Sequence, residues 1–481
     1  MRMIGKIAYN TIATSVSVAS GLLRNKIFAA FLSLNLFGVL SLGQQSVSLV
    51  VTVCAFGLPL GITTFVSRML TTSREEQIRS VSRVVVLSFA VSGLLATILA
   101  AVVLVQPEIL SRAVTATDAY AIPIAVLLFS APIMLMETCL FAVMEGMGKV
   151  HEIIRFRIIP SLVSLPILYI VTAEYHLTGA AVGVLINEMI LVGLGLFLLR
   201  KEIRFTAGMF DLGSVVTSVY KVAVLSFGVG ALWFVSDFVV KRYVLTSLGE
   251  VENGIVQSVA KIADLYPTIV LSWLLMHLFP TMSLSGDDKR VAANALQRTA
   301  LVAVVLIVPI IILLFTFRAE VLQIVYKKEF TVAVDYFGAM LTLGIVKVFS
   351  WVIGLAFLPL GMKKHWFYSA VLMTFVYAAG VWSFMSWGFA IYAIPMAYGL
   401  GLLVQTAYTV VVYRKQGFVF DHSFKWQMLA YGVLSALLVA SVFQPLILIA
   451  AALVFAWFTY HHNLITEIRA RFDDFRSKFS A

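Results

Sequence analysis

Two cations stand inside a run that otherwise reads as a membrane-spanning helix: Arg24 and Lys26 in ASGLLRNKIFAAF, Ala19 to Phe31. Four more fall at comparable depth, Lys241, Arg242, Lys261 and Lys347, against Asp237 and Asp264, with Glu137 and Glu188 farther off. Guanidinium and ammonium groups suit anions such as phosphate, the first through forked hydrogen bonds and the second as a point charge. A charge at the bilayer centre costs about 2.5 to 3.5 kcal/mol on insertion scales, so each is a functional candidate by default. The spacing leaves alternatives open. Asp237 and Lys241 are i,i+4 and Lys261 and Asp264 are i,i+3, so either pair could be a neutralising bridge instead. Arg24 has no acid within a turn; its alternative is snorkelling to the interface.

Helical periodicity sorts these residues by face. Asn10, Thr14, Ser17, Gly21 and Arg24 form one stripe, whereas Lys26 lies about 200° round from Arg24 and points to a rim or outward. The second span carries Ser41, Gln45, Ser48 and Thr52, the seventh Ser226, Gly230, Trp233, Asp237 and Lys241, and the eighth Gln257, Lys261, Asp264 and Thr268. Together these faces predict a central, water-accessible cavity of net positive charge. Asp237, Asp264 and Glu137 are the candidates for coupling to Na+ or H+, and no other cofactor is expected. Pro59, in GLPLG, and Pro267 are candidate hinges.

The elements that must position them follow from composition. Of 481 residues 61% are apolar and 12% charged, and the mean hydropathy is +0.99, which excludes a soluble globular protein. The expected class is an all-α polytopic membrane protein. Apolar runs predict fourteen transmembrane helices from 8–33 to 445–460, the fifth and sixth at 156–173 and 178–199. With the N-terminus inside, 25 Lys and Arg fall on the cytoplasmic side against four outside (Arg112, Arg318, Lys327 and Lys328). That bias predicts a multi-pass protein of the cell (inner/cytoplasmic) membrane with both termini cytoplasmic. The net charge of +11 is scattered through short loops, so it does not indicate nucleic acid. Cys54 and Cys139 read as small core residues, and the first helix, lacking a short apolar region with a cleavage site, as retained.

A weak internal repeat appears at a steady offset: Gly38 meets Gly254, Arg83 meets Arg298, Glu108 meets Glu320 and Gly146 meets Gly361. It predicts two six-helix lobes, 1–205 and 206–420, related by an axis near the membrane normal, with two C-terminal helices in 421–462. The segment 463–481 reads as an amphipathic helix on the cytoplasmic leaflet, with Leu464, Ile468, Phe472, Phe475 and Phe479 on one face.

No phosphate-binding loop, HExxH or cysteine cluster is present, and no loop is long enough for an extramembrane domain, so a carrier fits better than an enzyme. The runs SGLLRNKIFAAFLSLNLFGVLSLGQQSVSLV and FGLPLGITTFVSRML, and EGMGKVH after the fourth span, resemble the polysaccharide transporter family. These are lipid-linked oligosaccharide flippases of the multidrug/oligosaccharidyl-lipid/polysaccharide exporter superfamily. The resemblance implies transfer of a polyprenyl-diphosphate-linked oligosaccharide to the outer leaflet by alternating access, with membrane lipid and glycan assembly enzymes as partners, the chain acting as a monomer. It adds Arg68, similar in placement to a cation of related flippases, to Arg24, Lys26, Lys241, Arg242, Lys261 and Lys347 as substrate-binding candidates. The competing readings are a cation-coupled multidrug antiporter of the same superfamily and a non-transporting scaffold of a glycan assembly complex.

Overall fold

The computed structural model describes residues 2–204, 213–268 and 288–420, with a few isolated positions outside them. The expected last two spans, the tail helix and the side chains of Asn10, Thr14, Ser17 and Ser226 lie outside the described residues. Every regular element described is helical, and among the described residues eight helical runs are long and apolar enough to cross a membrane. The chain forms two compact units, one from Lys6 to Gln257 and one holding the described residues from Ser258 onward.

The first unit opens with α1 (Arg2–Phe31), which ends ahead of Ser33, whose hydroxyl accepts from the Leu36 amide to cap α2 (Leu34–Ala55). Phe56 and Gly57, both left-handed, then break the course before α3 (Leu58–Met69), with Pro59 in its first turn where a missing amide is harmless. Ser73 caps α4 (Arg74–Val105) by accepting from the Glu76 amide, and Glu75 and Glu76 complement the dipole. A short α5 (Glu108–Thr115) leads to α6 (Ala121–Gly146).

The next run, α7 (Val150–Leu199), is fifty residues without a gap, but His176 has non-helical angles (φ 48°, ψ −122°). A Cβ at Gly179 would meet the Val171 carbonyl, one at Gly183 the Leu168 side chain, and one at Gly195 the Phe156 ring. Those pairs lie roughly symmetrically about His176, so α7 is a hairpin of two antiparallel limbs, and small residues let the limbs close. It contains the fifth and sixth spans read from the sequence.

The unit closes with α8 (Gly213–Leu248) and the first part of α9 (Glu250–Ala263), which runs on into the second unit. A Cβ at Gly61 would come 2.4 Å from the Val219 carbonyl, so α3 and α8 approach backbone to backbone, and Phe56 stacks on Phe227 at 4.1 Å. At the far end of α2, Gly38 faces Gly254, where a Cβ would lie 2.4 Å from the Leu34 carbonyl.

In the second unit the course of α9 is interrupted at Asp264 and resumes at 265–268. Pro267 cannot donate to the carbonyl of Ala263 and its ring crowds it, which places the break there. Asp288 caps α10 (Lys289–Thr316), its carboxylate accepting from the amides of Arg290 (3.0 Å) and Val291 (3.2 Å). After α11 (Arg318–Val325) come α12 (Val334–Thr342) and α13 (Gly344–Leu355), then the paired helices α14 (Lys363–Ser386) and α15 (Ala393–Lys415). Pro132, Pro160, Pro166 and Pro309 stay within continuous helix, so among the described residues proline alone does not break a span.

Outside the spans, Glu202 receives Arg74 at 2.6 Å and Lys149 at 2.9 Å with its side chain 6% exposed. Burial alone would raise its carboxyl, but the hydrogen bonds from Arg74 and Lys149 outweigh it and leave it below the usual range. A carboxyl lowered on folding adds stability above its unfolded value and loses it as pH falls through its folded value. Thermal unfolding in detergent should therefore shift down on acidification below the ordinary value of 4.5. Glu202→Gln should cost roughly 1.5–3 kcal/mol at neutral pH and unfold with a weaker acid dependence than the wild type. Gly254→Val should cost about 1–3 kcal/mol in the same assay, since backbone cannot yield as a side chain does.

Candidate functional site

Arg24 sits on α1 one helical turn beyond Ser20, whose hydroxyl donates to the Ser161 carbonyl at 3.3 Å and ties α1 to the first limb of α7. Its Nη2 donates to Asn187 Oδ1 on the second limb at 3.0 Å, and Asn187 Nδ2 donates to Glu188 Oε1 at 3.1 Å. Asn187 thus turns a guanidinium and a carboxylate into one chain. Arg24 Nε is buried with no partner, leaving a donor to spare.

These groups open onto a cavity of about 460 Å³ bounded by α1, α6 and α7, lined also by Glu137, Arg157, Phe141, Phe156, Pro160 and Leu191. Arg157 lies over the Phe141 ring at 4.9 Å. Two arginines face two glutamates, so the lining is formally balanced. Arg24 therefore has carboxylates beside it although none lies within a turn of it in sequence, and the lining of this pocket includes neither Lys241 nor Arg242. The stripe on α1 gave the face but not the neighbour, and Asn187 is 163 residues away. Asn187 and Arg157 were not singled out from sequence, and Glu188 was set aside as distant; the polar pair Asn187–Glu188 within an apolar run was the available signal.

A second cluster joins α2 to α8. Lys241 Nζ bonds Asp237 Oδ2 at 2.9 Å, one of the bridges left open by the spacing, and Gln45 Nε2 donates to the same oxygen. The Thr52 methyl lies 3.9 Å from a Cβ built on Gly230. The polar faces of the second and seventh spans therefore do meet. Arg242, one residue and about 100° further round, instead donates to the Arg112 carbonyl at 3.1 Å, where Arg112 pairs with Asp118. That is a correction to its placement among the cavity cations. The hydrogen bonds from Arg112 hold the exposed Asp118 carboxyl below its usual range.

In the second unit Lys347, on α13 and 7% exposed, bonds the Asp264 carboxylate. The spacing offers Lys261 as a bridging partner of Asp264, and an ammonium it did not indicate, that of Lys347, 83 residues on, reaches the Asp264 Oδ1. Lys261 is half-buried on α9. Lys26 and Arg68 are exposed, as a rim position and a helix end imply. Pro59 and Pro267 each adjoin a helix break. Among the described residues no group of three or more His, Cys, Asp or Glu is placed to hold a metal ion.

No known family model matches the chain, and no curated protein matches it in sequence. Its fold is nonetheless shared with solved transporters. An inward-facing multidrug resistance MATE family transporter of the MOP superfamily superposes with a TM-score of 0.71 at 14% identity, over 84% of this chain and 98% of that one. The lipid II flippase MurJ, inward closed, gives 0.69 at 14% identity over 95% and 100%. A MOP superfamily transporter from Pyrococcus furiosus, described as having a binding pocket of reverse polarity, gives 0.63 at 16% over 86% and 95%. At such identities the likeness establishes the fold, an all-α fold of membrane transporters.

Asn187→Leu should leave Arg24 and Glu188 each short of a hydrogen bond in the interior, at a cost of about 1–3 kcal/mol. Thermal unfolding in detergent reads this, and Asn187→Gln, which keeps both groups, should recover part of it.

Proposed function

We propose that this chain is a secondary transporter working by alternating access and coupled to a cation through the Glu137–Glu188 pocket. The observation that carries the reading is the pocket itself: Glu137 and Glu188 line it beside Arg24 and Arg157, and Asn187 links Glu188 to Arg24. Like charges lining one pocket destabilise one another, and a bound Na+ or H+ relieves them. Release of the cation leaves the arginines to compensate, so the pocket has two stable occupancies, the minimum that coupling requires. The solved multidrug exporters with the same fold support this reading.

A second reading of the cargo, a polyprenyl-diphosphate-linked oligosaccharide flipped to the outer leaflet, is favoured by one observation. The flippase likeness spans 95% of this chain and all of the other, whereas the first multidrug transporter spans 84%. Lys26, Arg68, Lys241, Arg242, Lys261 and Lys347 would serve an anionic head, and a cell-negative potential would favour outward movement by about 2.3 kcal/mol per charge per 100 mV. Glycan assembly enzymes would then be partners. With either cargo we take the organisation to be two six-helix lobes divided at 205/206, fourteen spans and cytoplasmic termini. The meeting of Gly38 and Gly254, matched by the internal repeat, supports it, because equivalent positions meet where a twofold axis passes.

Proteoliposomes bearing an imposed Na+ or H+ gradient test both. Efflux of a cationic dye and outer-leaflet exposure of a polyprenyl-diphosphate sugar are followed in parallel. Whichever cargo moves should lose its gradient dependence in Glu137→Gln/Glu188→Gln, with flux down tenfold or more. If neither cargo moves in correctly inserted protein, transport is wrong and the scaffold reading takes its place.

A further inference from the structure

The ion pair in the second unit is lopsided. Lys347 is almost fully buried, whereas the side chain of its partner Asp264 is 64% exposed. The ammonium is held from behind by two aromatic faces, Trp351 at 5.1 Å and Tyr398 at 5.6 Å from the ring centroids. The carboxylate rides instead on the interruption between Ala263 and Leu265, just ahead of Pro267, with Thr268 Oγ1 closing back on the Asp264 carbonyl at 2.6 Å. Tyr266 docks that short resumed helix on α13, where Gly344 leaves room for its hydroxyl and a Cβ would stand 2.5 Å away. One charge is caged by rings; the other sits exposed at a break.

We infer that Lys347 is an anion subsite masked by Asp264, and that a phosphate-class anion takes the place of the carboxylate when the helix bends away at the break. The inference rests on the transporter reading and deepens it by naming the cargo's chemistry. Moving Asp264 off would leave a buried ammonium uncompensated, so the bend is disfavoured until another anion arrives. Anion at Lys347 and carboxylate at Lys347 exclude one another. By linkage, occupancy favours the bent helix and the bent helix raises affinity for the anion by the same factor. A neutral or cationic cargo has no such effect. A diphosphate on a lipid and free inorganic phosphate share the chemistry, and the test separates them.

The full chain in nanodiscs of zwitterionic lipid is titrated with inorganic pyrophosphate, read by fluorescence, with Trp351→Phe identifying the signal from the ring over Lys347. Asp264→Asn should bind at least tenfold more tightly than the wild type, and Asp264→Asn/Lys347→Met should lose that binding. A second set of nanodiscs carries a polyprenyl diphosphate: saturation by the lipid with displacement by pyrophosphate assigns the headgroup, and response to pyrophosphate alone assigns the free ion. Unchanged affinity in Asp264→Asn, or binding that survives Lys347→Met, overturns the inference. Should Asp264→Asn fail to fold, Lys347→Arg must bind like the wild type and Lys347→Met must not; equal binding by all three overturns it. None of these measurements needs flux, so binding that passes while the proteoliposomes stay inert sinks the transporter reading alone.

Discussion

Taking a guanidinium out of water costs several kcal/mol even after the surroundings relax, and much of the first unit is arranged around offsetting that cost at Arg24. A partner from its own helix is not available, so one has to arrive from elsewhere in the chain. The hairpin α7 brings it. Its first limb receives the Ser20 hydroxyl and its second limb places Asn187 against the guanidinium. The reversal at His176, with a backbone conformation disfavoured for any residue but glycine, is tolerated because the limbs on either side are locked by close contacts at Gly179, Gly183 and Gly195. A polar demand on α1 thus sets where a helix pair more than a hundred residues later must lie.

The same constraint is met differently at the other charges. Asp237 gathers Lys241 from its own helix and Gln45 from α2, so polar groups fix the α2–α8 contact, while glycines set the neighbouring approaches of α3 to α8 at Gly61 and of α2 to α9 at Gly38 and Gly254. Lys347 has rings behind it and a carboxylate in front, on a helix that is broken at that point. A straight helix through Ala263 would need a hydrogen bond that Pro267 cannot give. The break presents a carboxylate on the polar face of α9, and non-helical backbone is acceptable in a membrane where it lines a cavity or is buried in protein.

Much of this was legible in the sequence, and the rest was not for a definable reason. Apolar runs anticipated the eight membrane-length helical runs among the described residues, including the two limbs of α7, because a hydrophobic stretch is a local property. Gln45 and Asp237 were correctly assigned to facing stripes because helical phase is local too. What phase does not carry is which neighbour a stripe meets. Arg24 was read without Asn187 and Glu188, and Asp264 without Lys347, since those partners lie 163 and 83 residues from them. Arg242 failed for another reason: at 100° per residue its neighbour Lys241 says nothing of its direction. The prolines divided likewise. Pro59 follows a left-handed pair at Phe56–Gly57 and adjoins a break, but Pro132 and Pro309 look no different in sequence and remain in helix.

The two units then differ in how their buried charges can respond to a visitor. Around Glu137 and Glu188 the signs are balanced in a cavity that is partly open, so a small cation can enter or leave with little rearrangement of helices. At Lys347 the cation is fixed and its counter-charge is attached to a helix break, so exchange of the anion, as inferred above, would move backbone. In the proposed cycle this separates the roles. The first arrangement suits an ion that is bound and released in both states, and the second suits a cargo whose arrival must change the state. A transporter needs both properties, since a ligand with equal affinity for two conformations shifts neither, and one that locks a single conformation cannot turn over. Placing them on different helices lets each be tuned without disturbing the other.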